Sequence, residues 1–198
     1  MIMGHYAVAL VPYSRMQRTA PFWLLLVFSQ LQDFVSLSLT MLGIERVRPT
    51  SFMDVSFKAL HLEIRYSHVI TIEILMAIAS VAVVAGIWRR RDLALWCGAL
   101  VLLHEACDLL SGWSHAIVVG GPLVLGLNLY SVNPYLAFVI ELVLITLLVT
   151  WYVRDQARQG HPFAGRARSV LYAGFLGGML MYVPLATISL RQILDRLG

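Results

Sequence analysis

The chain has 198 residues, of which 59% are hydrophobic and only 13% are charged, and its formal net charge is +4 at pH 7. Soluble domains carry about 25% charged residues, so this composition excludes an ordinary soluble domain and indicates a lipid bilayer as the solvent. The arginines that produce the positive charge are grouped at the ends of apolar segments. This placement is typical of membrane topology signals and disfavours binding to nucleic acid.

The apolar segments divide the chain into one short stretch and five long ones. Residues 1–13, MIMGHYAVALVPY, are too few to cross a bilayer and lack the basic start and cleavage site of a signal peptide, so we expect a half-length helix that enters the membrane. Five stretches close to the ~20 residues needed for a span follow, at 21–44, 67–88, 93–118, 134–153 and 169–190. We therefore predict an all-α polytopic transmembrane bundle of about five full spans, forming a single integral membrane domain over residues 1–198, with no β-sheet.

The basic residues predict how this bundle is oriented. Three groups fall on alternate connections and hence on one side: Arg15 with Arg18, Arg89–Arg91, and the arginines at 154, 158, 166 and 168. On the other side, acidic residues dilute the basic ones between 45 and 65, and the 119–133 loop is uncharged. The positive-inside rule then places the first set in the cytoplasm.

Ionisable side chains interrupt the apolar segments. His104 and Asp108 are four residues apart and share a helix face, while Asp33 lies within the first long span. His68 opens the second span, and His5 lies on the half-helix at a comparable depth. A carboxylate at a helix centre costs about 2.5–3.5 kcal/mol, and the spans hold too few basic residues to pair with these groups. A divalent metal would satisfy the imidazoles and carboxylates together; zinc suits this ligand set best, with iron and manganese as alternatives.

The remaining candidates have a plainer interpretation beside the functional one. A single histidine in a membrane more often donates a hydrogen bond between helices than binds a metal. Glu141, on the fourth span, could be a functional group or the anchor of an outward loop. Three further histidines fall in or near loops, where we expect them to be solvated: His61, His115 and His161.

Five short motifs occur in a characteristic order. GHYAVAL stands near the start, SQLQD is followed by LGIERVR, YSH opens the second span, and LHEACDLL and LGLNLYSVNPYLAFVIEL come later. Over about residues 4–145 this order resembles the bacterial membrane-bound metal-dependent hydrolases, which are small integral inner-membrane proteins. The resemblance implies that the metal ligands are His5, Asp33, His68, His104 and Asp108. Gly112 stands where the family often has a histidine, and His115 is a possible replacement one turn on.

These observations lead to a hydrolase hypothesis. The resemblance implies a metal-dependent hydrolase of the bacterial inner membrane. The depth of the site at the level of the acyl chains favours a lipid or lipid-like ester or phosphodiester as the substrate, and Glu73 or Glu105 is the candidate general base. No serine-hydrolase elbow or phosphate-binding loop is present in the sequence.

Two other functions stay open. The chain could be a non-catalytic integral subunit of a larger membrane protein complex, in which the polar residues connect helices or hold a structural metal. In that case its partners would be other integral membrane subunits as well as membrane lipid. Ion or proton transport is disfavoured because no broken-helix pair or inverted repeat is evident in the sequence.

Overall fold

The computed structural model describes residues 1–16 and 19–196, and its secondary structure is 66% helix and 5% strand. The α-helices of these residues are α1 (Met3–Val8), α2 (Leu10–Arg15), α3 (Phe22–Ser29), α4 (Leu31–Met41), α5 (Ile70–Trp88), α6 (Arg91–Ser111), α7 (Leu129–Val132), α8 (Pro134–Arg158), α9 (Gly165–Tyr172), α10 (Gly178–Leu180) and α11 (Leu190–Asp195). Short 3₁₀ helices cover Phe52–Asp54 and Val183–Ala186, and a π-helix covers Ala173–Gly177. The prediction of a mostly helical fold is confirmed. Arg18, one of the arginines assigned to the cytoplasm, lies outside the described residues.

Four helices of the described chain are long and apolar enough to cross a membrane: α5, α6, α8 and the run Gly165–Ala186. Two local features favour the start of helix α8. The side chain of Asn133 accepts a hydrogen bond from the Leu136 amide, and Pro134 occupies the first turn. Helices α5 and α6 form a tight antiparallel pair. A Cβ at Gly98 would lie only 2.5 Å from Val81 Cγ2, so the glycine permits this close approach.

The first predicted span is not a straight helix. Helices α3 and α4 meet at an angle of 59°, and they count as a fifth span only if the bent pair is taken as one. The break lies at Gln30, whose φ of −122° and ψ of 12° are not helical. The predicted full span over 21–44 is therefore present only as a bent pair of apolar helices. Irregular backbone is tolerated at this depth because Ser29 and Gln30 are buried in protein.

The N-terminal segment forms two short helices, α1 and α2, in place of a single half-helix. Helix α1 packs against α6 and α8, and Gly4, His5, Ala7 and Val8 are all buried. An apolar segment too short to span the bilayer is thus covered by other helices. This position brings residue 5 against the interior face of α6.

The expectation that no sheet is present was wrong. Strand β1 (Arg46–Arg48) pairs in antiparallel fashion with β2 (His61–Glu63), and β3 (His115–Ala116) pairs with β4 (Val124–Leu125). Both sheets lie in connections between the apolar helices. A connection that folds back on itself can satisfy its backbone N–H and C=O groups by pairing, which is why these segments form short ladders.

Contacts between connections define two ends of the bundle. At one end the Arg90 guanidinium donates to the Thr19 carbonyl, and Ser14 Oγ donates to Asp155 Oδ2. At the other end Arg191 Nε donates to Asp54 Oδ1 over 2.6 Å. These contacts join segments that the arginine pattern places on the same side. The orientation of the two ends across a membrane stays a prediction.

Candidate metal centre

Five side chains predicted to be metal ligands lie together inside the bundle. We call them the His–Asp cluster: His5 on α1, Asp33 on α4, His68 just before α5, and His104 and Asp108 on α6. His5 Nε2 lies 3.1 Å from Asp108 Oδ1, and the His5 ring stacks on His104 with centroids 3.6 Å apart. His68 Nε2 lies 3.5 Å from Asp33 Oδ1 and 3.9 Å from Asp108 Oδ2. Four members are buried, whereas the side chain of Asp33 is 48% exposed.

His104 is oriented by a backbone carbonyl that the bend in the first span leaves available. Helix α3 ends at Ser29, so its last carbonyls lack partners within the helix. The Nδ1–H of His104 donates to the Ser29 carbonyl over 2.8 Å, which leaves Nε2 of the neutral ring with a lone pair. Among the described residues this buried Nε2 has no hydrogen-bond partner. It faces Asp33 Oδ1 at 3.8 Å and Asp108 Oδ2 at 3.6 Å.

His68 is oriented by a serine and a glutamate from the preceding connection. Ser67 Oγ donates to Glu45 Oε2 over 2.7 Å, so its lone pair is free to accept the Nδ1–H of His68 over 3.0 Å. In the neutral ring the Nε2 atom of His68 then carries a lone pair, and this atom faces the two aspartates. A histidine whose second nitrogen is hydrogen-bonded in this way has the geometry of a metal ligand held by its outer partners.

Glu45 is the end of this hydrogen-bond chain. Its Oε1 accepts the backbone N–H groups of Arg65, Tyr66 and Ser67 at 3.1, 2.9 and 2.9 Å. Burial raises the pKa of Glu45, but the donors on Ser67 and Tyr66 outweigh it, so this pKa lies below its usual value. The sequence reasoning missed both Glu45 and Ser67, treating the glutamate only as a charge that dilutes nearby arginines. The serine directly before His68 was the available signal.

When both oriented imidazoles are neutral, they and the two aspartates face one another with lone pairs alone. The amino group of Met1 contacts Asp108 Oδ1 beside His5, which leaves Oδ2 turned to His68 and His104. Ligands of a tetrahedral zinc ion, each about 2.1 Å from the metal, lie roughly 3.4 Å apart. The nitrogen–oxygen distances here are 3.5 to 3.9 Å. The donor set and its spacing therefore fit a divalent cation, which would relieve the buried repulsion.

Two cavities reach the cluster. The first, of about 320 Å³, is lined by Asp33, His68 and Asp108 and by apolar side chains that include Leu37 and Val47, and we call it the apolar cavity. The second, of about 400 Å³, has a more polar lining, and we call it the polar cavity. It includes His61, Glu63, Asn128 and Ser131. Both cavities are bounded by His68, Trp113 and His115, so the cluster is accessible from either one.

A second group of ionisable side chains lies beside the first. We call Glu73, Glu105 and His115 the Glu–His cluster, and their ligand atoms all lie within 4.8 Å of one another. His115 Nδ1 lies 2.7 Å from Glu105 Oε2, and its ring centroid is 5.1 Å from that of His68. Neither Glu73 nor Glu105 lines the apolar or the polar cavity. A general-base role for these glutamates stays a prediction, and a proton from the cavities would reach Glu105 by way of His115.

The expectation that His115 is solvated was wrong. Its relative exposure is 4%, because strand β3 folds back over the start of α5, where the Thr71 N–H donates to the Ile117 carbonyl over 3.1 Å. The one available signal was the position of His115, three residues after Gly112 and just beyond the end of α6 in the sequence. Periodicity alone could not place a loop residue.

Glu141 positions α1. Its Oε1 accepts the backbone N–H groups of Ile2 and Gly4 at 2.6 and 2.8 Å, and its Oε2 accepts the hydroxyl of Tyr130 at 3.1 Å. Glu141 is fully buried, and through the Tyr130 hydroxyl it also holds the 119–133 connection, which agrees with the anchor interpretation. By capping the first turn of α1 from α8, it fixes the helix that carries His5.

No protein-family model, curated protein or solved structure matches the chain.

Proposed function

We propose that this protein is a metal-dependent hydrolase of the bacterial inner membrane that cleaves an ester or phosphodiester bond of a lipid-like substrate. The observation that carries the proposal is the orientation of two buried imidazoles. His68 and His104 each have Nδ1 hydrogen-bonded and direct Nε2 at Asp33 and Asp108, beside a cavity of about 320 Å³. Such an arrangement is typical of a metal centre with room for a substrate.

The His–Asp cluster would hold the metal, zinc being the best match, with iron and manganese as alternatives. A divalent cation at this position supplies Lewis acidity, which activates water as a nucleophile and polarises the bond to be cleaved. Ser67 and the Ser29 carbonyl fix the tautomers of the two ligand imidazoles, so these rings need not reorganise when a cation binds. His5 supports Asp108 through its Nε2 contact.

Asp33 is the member of the cluster best placed to accept a proton. Its side chain is 48% exposed and lines the apolar cavity, whereas the side chain of Asp108 is 7% exposed. One oxygen of Asp33 faces His68 and His104, and a carboxylate has a second oxygen with which to accept a proton from a water molecule. Asp33 then acts in the reaction while Asp108 serves mainly as a ligand.

The shape of the surrounding space favours an amphiphilic substrate. An acyl chain fits the apolar cavity beside Leu37 and Val47, and a polar head group fits the polar cavity beside Asn128 and Ser131. His68 borders both cavities, so a bond that joins the two parts of the substrate would lie at the metal. The arginine pattern would place this end of the bundle away from the cytoplasm.

Elemental analysis and turnover together test the proposal. Purified protein in detergent should contain a divalent metal and hydrolyse a long-chain fluorogenic ester or phosphodiester in mixed micelles, with loss of activity on chelation. His104→Ala with Asp108→Ala should lose the ion of the His–Asp cluster, and Asp33→Asn should lose at least about 100-fold in kcat while folding normally. His161→Ala, at an exposed histidine, is the matched control.

The alternative functions predict different results. A bound metal with no hydrolysis of any substrate class, together with co-purifying membrane proteins, would favour a non-catalytic subunit. Unchanged metal content in the His104 and Asp108 double variant would exclude this cluster as the metal site.

A further inference from the structure

The Glu–His cluster presents buried acidic groups that the proposed hydrolysis does not use. Glu73 lies in the first turn of α5 and is fully buried. Among the described residues, both of its carboxylate oxygens lack a hydrogen-bond partner, and so does Oε1 of Glu105. A buried carboxylate without donors is strongly unfavourable, so either a proton or a cation is needed at this position.

We propose that Glu73, Glu105 and His115 form a second divalent cation site, distinct from the His–Asp cluster. Each residue offers a ligand atom, and these atoms lie within 4.8 Å of one another. Two carboxylates and a neutral imidazole around a divalent cation give a net charge of zero, which suits a site among apolar helices. The three residues come from α5, α6 and strand β3, so the cation also ties the β3 connection to the bundle.

The ligand chemistry narrows the choice of ion. Two carboxylates with one imidazole suit manganese, iron or zinc, whereas calcium and magnesium prefer oxygen ligands alone. A cation could reach the site from either cavity by way of His115, because His115 lines both cavities and contacts Glu105. The rings of His68 and His115 are adjacent, so the two cation sites would be neighbours.

The competing arrangement is a proton shared between the two glutamates. In that case Glu73 donates to Glu105, and Glu105 accepts from His115. The two arrangements differ in the number of metal ions bound per chain.

Metal stoichiometry decides between them. The full chain is stripped with a chelator in detergent, reloaded with Mn²⁺ or Zn²⁺ alone, desalted and subjected to elemental analysis. We expect two ions per chain in the wild type, one in Glu73→Gln and one in the His104→Ala, Asp108→Ala double variant. Glu63→Gln, at an exposed glutamate on β2, is the matched control and should keep both ions.

The double variant provides a second measurement that leaves the Glu–His cluster intact. In that background, added Mn²⁺ should raise the thermal unfolding temperature, and Glu73→Gln added to it should abolish the rise. No metal-dependent rise in the double variant, or an unchanged ion count in Glu73→Gln, would overturn the second site in favour of the shared proton. Failure of the proposed hydrolysis would leave these counts unaffected, so the two proposals fail separately.

Discussion

Replacing Ser67 with alanine tests how the His–Asp cluster obtains its metal affinity. The hydroxyl of Ser67 links two groups, since it donates to Glu45 Oε2 over 2.7 Å and accepts from His68 Nδ1 over 3.0 Å. Ser67 is fully buried, so water cannot easily replace the lost acceptor. The alanine variant leaves Glu45 its three backbone donors, and therefore the connection that carries His68 should stay folded.

The expected loss of metal affinity follows from the hydrogen bond that the Ser67 hydroxyl accepts from His68. Without an acceptor at Nδ1, the imidazole can take the other tautomer, in which Nε2 carries the proton and cannot bind a metal. Loss of an outer partner of a metal-binding histidine typically reduces metal affinity about 10- to 100-fold. This range corresponds to about 1.4–2.7 kcal/mol of binding free energy. The free energy of unfolding of the metal-free protein should fall by less than this range, because Glu45 keeps most of its hydrogen bonds.

Competition with a chromophoric chelator measures the affinity, and Ser36→Ala is the matched control. Ser36 Oγ also donates to Glu45 Oε2, over 3.2 Å, but within the described residues it makes no hydrogen bond to His68. Ser36→Ala should therefore leave the metal affinity within about threefold of the wild type if orientation of the imidazole is what matters. Equal losses in the two variants would show that the charge environment of Glu45 matters rather than the tautomer of His68. No loss in Ser67→Ala would refute the reasoning.

Three further predictions concern stability and topology. The pKa of Glu45 is lower in the folded state than in the unfolded state, so the ionised carboxylate stabilises the fold at pH values above about 4.3, the unfolded-state pKa. This contribution is lost as the pH falls through the folded-state pKa. The loss of stability in Glu45→Gln, measured by thermal unfolding, should therefore become smaller in acid. Gly98→Val should lower the unfolding temperature, because its Cβ would lie 2.5 Å from a side chain of α5, whereas Gly86→Ala, with no atom within 4 Å, should not lower it. Cysteine-accessibility labelling should find Arg89–Arg91 and the 119–133 loop on opposite sides of the membrane, and labelling of both from one side would contradict the topology.

The predicted site residues that lie together in the structure are those for which depth in the membrane limits the choices. His104 and Asp108 share one face of an apolar helix, and a charged group on such a helix is strongly favoured to face protein rather than lipid. The same reasoning applies to Asp33 on its own helix. Once each polar face is turned inward, a small bundle offers few places for these side chains other than beside one another.

The connections were predicted poorly because hydrophobic periodicity does not apply to them. Glu45, Ser67 and His115 all lie outside the long helices, and their positions depend on which segment a loop packs against. Glu45 accepts hydrogen bonds from three backbone N–H groups at residues 65–67, and no short-range sequence pattern predicts this contact. The two short sheets arise in the same segments for the same reason.

The bend at Gln30 was missed because the local sequence continues as an apolar helix on either side. This segment contains no strong helix breaker, since neither glycine nor proline is present between Phe22 and Met41. What stabilises the bend is a long-range contact, the hydrogen bond from His104 to the Ser29 carbonyl. Such a contact depends on the position of α6 and is invisible in a window of neighbouring residues.

The His–Asp cluster lies where helical regularity ends, and there is a physical reason for this location. Inside a regular helix each carbonyl is already bonded to an N–H four residues on, so it is not available to orient a histidine. The two oriented imidazoles take their acceptors from the last turn of α3 and from Ser67 just before α5. The long helices supply an apolar scaffold, while a broken helix and a loop supply the hydrogen-bonding groups. Straightening the first span would thus remove an outer partner of the proposed metal site even if every predicted ligand stayed in place.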